Sequence, residues 1–195
     1  MLTDKMNYEG LEGYIRLYEA GNPNNILFEQ KNTICNGVKW LFARLMAGSA
    51  EPLFGVWGLA VGQGDLNWPE ETQVVATAND WRLRSELLRK RCTARFVDTN
   101  LNPVAAGVTT RWVDFQTPIN ATSDGLVVNG VVVPLREMGL IGGGSSSPQT
   151  VMTTAPYFDP SNPSSDSVIL VNYKTHGPLK LPDGIDLILS WIIKF

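Results

Sequence analysis

"GLAVGQGD", residues Gly58–Asp65, decides how the chain is read. Four small or apolar residues lead into Gly-Gln-Gly-Asp, the outline of a strand running into a phosphate loop. Taken that way, the stretch would place the chain among α/β nucleotide-binding proteins. The chemistry argues otherwise. A dinucleotide loop needs Gly-x-Gly-x-x-Gly and then a helix whose N-terminus holds the pyrophosphate. Here Gly62-Gln63-Gly64 is followed by Asp65, Leu66 and Asn67, so the third glycine is missing. Asp65 would repel phosphate, and Pro69 interrupts any helix that followed. The Gly-Lys-Ser/Thr triplet of a P-loop occurs nowhere in the sequence. The stretch therefore predicts a strand end and a tight turn packed closely beside a helix, and the fold must be sought among β architectures.

Working outward, "YIRLYE" (Tyr14–Glu19) alternates and is rich in aromatic and branched residues, which predicts a strand. "GNPNN" reads as a turn and "ILFEQKNTI" as the second arm of a hairpin. The period then changes. Val38, Leu41, Phe42, Leu45 and Met46 recur at helical spacing, with Asn36 as N-cap and Gly48 as stop. That predicts one amphipathic helix over about residues 37–47, with Val38, Leu41, Phe42 and Leu45 buried under a sheet. "FGVWGLAVG" returns to strand character. "DLNWPEETQVVATAND" reads as loop, and "WRLRSELLRKR" as a short helix after Asp80 with Leu83, Leu87 and Leu88 inward. "CTARFVD" and "TTRWVDFQT" alternate as strands. In "LVVNGVVV", Asn129-Gly130 lies between two valine runs, the signature of a two-residue hairpin turn. "LREMGLIGG", "SVILVNYKTH" and "IDLILSWIIKF" complete the strands. The pattern predicts a single domain over 1–195: an antiparallel β-sandwich with one packed helix and a long Gly/Ser/Pro-rich loop at 142–166.

Composition bounds the function. Of 195 residues, 44% are apolar and 18% charged, enough for a real core. A net charge of −3 supplies no general field for nucleic acid or an anionic membrane. The N-terminal stretch lacks a basic region followed by an apolar run, and no run reaches membrane-spanning length. The expectation is a soluble protein made in a cytoplasm. Cys35 and Cys92 form no Cys-x-x-Cys pair and read as small hydrophobes. The single histidine, His176, reads as a surface or loop-edge residue. Glu70-Glu71 reads as a solvated pair. Arg82, Arg84, Arg89, Lys90, Arg91 and Arg95 form the one charge concentration. It reads as a solvated helix face with a salt-bridge role or as an inter-subunit contact, with a phosphate or acidic partner as the sharper alternative. No catalytic, cofactor-binding or metal-ligating set emerges, so no enzyme is expected. Trp68 and Trp81, in polar loops, are candidate interface anchors. Met152, Tyr157 and Phe158 join them, because a wholly solvated 142–166 loop has little use for them. The loop is expected to reach a neighbouring subunit and bury Tyr157 and Phe158 there.

Several segments in order resemble a loose group of tailed-bacteriophage structural proteins: "KNTICNGVKWLFARLMAG", "VWGLAVGQGD", "SELLRKR", "REMGLIGG", "VNYKT" and "DLILSWIIKF". "REMGLIGG" is also similar to a short pattern in phage tail-collar and tail-fibre attachment proteins. The order covers roughly Phe28 to Phe195. The resemblance implies a non-enzymatic virion component that contacts other virion proteins and copies of itself. It carries no catalytic residues, and it favours the tail or tail-attached apparatus (collar, baseplate or fibre attachment). Two other readings stay open: a capsid decoration protein, and a carbohydrate-binding β-sandwich with Trp68 and Trp81 as stacking platforms for a host surface glycan.

Overall fold

The computed structural model describes residues 11–46, 55–69, 73–105, 108, 110–144, 157–161 and 167–195. The alternation in the first strand segment becomes β1 (Glu12–Glu19), which turns at Ala20-Gly21 into β2 (Asn22–Lys31). The expected "GNPNN" turn is thus shorter than its turn-forming residues suggest. Pro23 is tolerated inside β2 because β2 is an edge strand, where a missing N–H costs no ladder bond. The chain continues as β3 (Thr33–Ile34), α1 (Gly37–Met46), β4 (Val56–Gly62), β5 (Glu86–Arg91), β6 (Thr93–Val97) and β7 (Trp112–Ile119). It ends with the small hairpin β8 (Val127–Val128) and β9 (Val131–Val132), then β10 (Leu135–Gly143), β11 (Val168–Leu179) and β12 (Leu187–Lys194).

Two five-stranded antiparallel sheets result, ordered β2-β1-β12-β7-β6 and β3-β11-β10-β4-β5. This is the sandwich-like architecture with one helix that the sequence predicts. Two of the crossings between sheets are made at single residues: Asn32 separates β2 from β3, and Cys92 separates β5 from β6. The core lies between the sheets. Ile15, Leu17, Leu189 and Trp191 of the first sheet meet Leu59, Val61, Met138, Leu140 and Val171 of the second. A smaller cluster of Ala60, Leu83, Ile141, Leu170 and Tyr173 covers the other side of β4, β10 and β11. In β12, Leu187, Leu189, Trp191 and Ile193 are all buried, as their alternation predicts; Ile185 and Phe195, at the two ends, are exposed. The Asn129-Gly130 turn forms with φ of 52° and 75°, joining Val128 to its partner Val131.

Two expectations are corrected. The segment expected as a helix after Asp80 is β5, pairing Leu88 with Val61 and Arg91 with Gly58. Its leucines suit a helix locally, but the open edge of β4 offers backbone partners that outweigh that preference. In α1, Val38 and Leu41 are buried beside Phe115 and Ile193, but Phe42, Leu45 and Met46 are exposed. The helix is set into the core by its first two turns only.

Candidate functional site

The glycine-rich stretch ends β4, flanked by β10 on one side and β5 on the other. Where the chain leaves the sheet it meets Glu137 of β10, which is fully buried. Glu137 Oε1 accepts from the backbone N–H of Ser85 at 2.7 Å and of Gly64 at 3.2 Å. Its Oε2 accepts from the Arg84 N–H at 2.8 Å and from the Tyr173 hydroxyl at 2.5 Å. The glycines follow from this clasp. A Cβ on Gly62 would strike the Glu137 carboxylate and lie 2.5 Å from the Ser85 carbonyl oxygen. Gly64 has φ of 75°, and a Cβ there would enter the Trp68 ring. Converging amides around an anion are what a phosphate loop provides. Here the anion is the chain's own side chain. Burial, reinforced by the neighbouring Glu137, pushes the Tyr173 phenol up, so the hydroxyl stays a donor.

Sequence reading passed over Glu137, although a signal was present. In "LREMGLIGG" it shares a strand face with Gly139 and Ile141, so a charge falls in an apolar alternation. A buried carboxylate at such a position demands donors.

The basic run is spent on internal pairs. Arg84 meets Asp80 at 2.7 Å, Arg89 meets Glu86 at 2.7 Å, and Lys90 meets Asp124 at 2.8 Å. Arg95 reaches the buried Asp114 at 2.8 Å. Asp114 also accepts from Gln116 at 2.7 Å and from the Ser190 hydroxyl at 2.7 Å. Arg82 lies over the Trp81 ring at 4.8 Å. The salt-bridged reading of this run is the one the structure supports.

Of the candidate interface residues, Trp68 is half-buried over Gly64, with the Arg136 guanidinium 5.6 Å from its ring. Tyr157 donates to Glu86 and carries Arg89 over its ring at 4.7 Å. Phe158 is 8% exposed and belongs to the main core. The expectation that Tyr157 and Phe158 are held for a neighbouring subunit is therefore corrected: both pack within their own chain. Met152 and Glu70-Glu71 lie outside the described residues. His176 is also corrected, from surface to interior. It is 2% exposed, its ring 4.9 Å from that of Phe28 and its Nδ1 2.7 Å from the Gly177 carbonyl oxygen. Its Nε2 is buried with no hydrogen-bond partner. Burial pushes this imidazole down to about 4, with Lys174 and Arg136 acting in the same direction and the Gly177 carbonyl opposing. Cys35 and Cys92 are free thiols; burial pushes both up, Cys92 to about 12, which keeps them unreactive.

A large concave feature lies between α1 and residues 78–81. Trp40, Ala43, Trp81, Phe158 and the Asn36–Asn79 pair line a groove of about 640 Å³. Asn36 is not the expected side-chain cap. Its backbone carbonyl accepts from Lys39, while its side chain donates to Asn79 Oδ1 at 2.8 Å, tying the start of α1 to the 76–80 loop. Gly37 lets α1 approach this closely, since a Cβ there would strike the Leu170 carbonyl of β11. Trp81, expected as an anchor, is in this groove. Trp40, which the sequence assigns only to a helix, forms part of its wall and is 49% exposed.

Among the described residues, no group of three or more His, Cys, Asp and Glu side chains is placed to hold a metal ion, and no helix is long and apolar enough to cross a membrane. No protein-family model, curated protein or solved structure matches the chain.

Proposed function

We propose that this chain is a non-enzymatic structural subunit of a tailed-bacteriophage particle, in the tail or tail-attached apparatus, working through protein–protein contacts. The observation that carries the reading is the apolar end of α1. Phe42 is 40% exposed, Leu45 43% and Met46 88%, and Phe42 shares a shallow depression with the 47% exposed Phe195. Large apolar groups gathered on one surface mark contact sites more often than scattered ones do. The buried polar groups support the same reading. Glu137, Asp114 and Lys90–Asp124 are each committed to hydrogen bonds that hold the fold, not presented to a substrate. The ordered resemblance of the chain's segments to phage structural proteins supplies the biological setting.

Incorporation of the Met46→Lys chain into particles is the test. The variant is expected to fold with an unchanged melting temperature, because Met46 is surface-exposed, and to be depleted from purified particles relative to the wild-type chain. A variant that folds and enters particles as well as wild type contradicts the reading of this face.

A further inference from the structure

We infer that the groove between α1 and residues 78–81 is a binding site for a pyranose sugar. Its size argues for a small ligand. A volume of about 640 Å³ falls in the range typical of small-molecule sites, whereas a specific protein partner needs a much broader footprint. Its walls argue for a ligand with a flat C–H face. Trp40 is held by Phe158, ring centroids 5.3 Å apart and planes at 44°, while half of the indole stays open. Trp81 lines the same groove, and the Arg82 guanidinium braces its ring at 4.8 Å. Two fixed aromatic rings beside a cleft are a surface on which the axial C–H groups of a sugar ring can stack.

The polar side decides between a sugar and a purely apolar ligand. Asn36 donates through Nδ2 to Asn79 Oδ1 at 2.8 Å. That single bond uses one donor and one acceptor of the amide pair. It leaves Asn36 Oδ1 able to accept and Asn79 Nδ2 able to donate, on two residues that line the groove. Neighbouring ring hydroxyls, each both donor and acceptor, complement that pair. An apolar ligand would cover the amides without bonding them, at a cost. The site does not depend on the proposed assembly role. Phe42, Leu45 and Met46 are not among its lining residues.

Saturation-transfer NMR on the intact chain, with the methyl glycosides of glucose, galactose, mannose and N-acetylglucosamine as probes, tests this directly. At least one probe is expected to bind in the millimolar range or tighter. Trp40→Ala and Asn79→Ala should each weaken it by about tenfold or more. Trp68→Phe, which alters a tryptophan outside the groove, should leave it unchanged. Unaltered thermal melts show that the substituted chains are folded, and Asn79→Asp serves where Asn79→Ala is not. The inference is overturned if none of the four glycosides binds. It is equally overturned if binding survives both groove substitutions, or if only an apolar dye is taken up.

Discussion

Glu137 shows how one residue explains a sequence motif. Its carboxylate accepts three backbone N–H groups and the Tyr173 hydroxyl, and it dictates that Gly62 has no side chain. Replacing it with alanine leaves two buried and two part-buried donors without this partner, and the loss should be on the order of 4 kcal/mol. Glu137→Gln keeps one carbonyl acceptor and should lose less. Chemical denaturation of the two variants checks the order, and equal stability of Glu137→Ala and wild type would remove the clasp from the account. His176 supports a second prediction at this scale. Its folded value, about 4, lies below the usual 6.5. A depressed value means that protonation opposes folding, so the contribution is fully present above pH 6.5 and is lost as the pH falls toward 4. The span corresponds to about 3 kcal/mol. His176→Phe should flatten that part of the stability curve, measured by melting between pH 4 and 7. Glu137 leaves a trace in the sequence, a charge in an apolar alternation, but its donors come from residues that only the fold brings near. The imidazole of His176 looks alike whether its strand's face is wet or dry, and only the packed sheet shows which.

Elements were legible where periodicity was long and unopposed. The alternation of β12, the helical spacing of Val38 and Leu41, and Asn129-Gly130 each contain enough local information to name the element. They failed where a distant partner decides. Glu86–Arg91 became a strand because β4 had an edge to fill. Phe42 and Leu45 stay exposed because the helix runs past the sheet that buries Val38 and Leu41. This contrast is testable. Leu41→Ala should cost about 2–5 kcal/mol, as for other buried leucines, because it empties a filled site. Leu45→Ala should cost well under half of that. Similar losses at the two positions would mean that the helix end is buried as deeply as its start.

At the scale of the molecule, two sheets are sewn together by crossings at Asn32 and Cys92, and the last strand is laid between β1 and β7 at the centre of its sheet. What the sequence could not convey is which surfaces such a body offers its surroundings. Tyr157 and Phe158, apolar residues in a polar loop, look like anchors for a partner, yet they complete their own core. Trp40, an ordinary helix residue by spacing, becomes a wall of the groove only when Phe158 and Trp81 are brought beside it from distant parts of the chain. The role proposed for the protein is that of a component of an assembled particle. Immunogold electron microscopy of gradient-purified phage particles, with an antibody raised against this chain, tests it most directly. Gold at a fixed position on the tail or its attachments is the predicted result. Particles that stay unlabelled, while the same antibody detects the protein free in the infected cell, would contradict it.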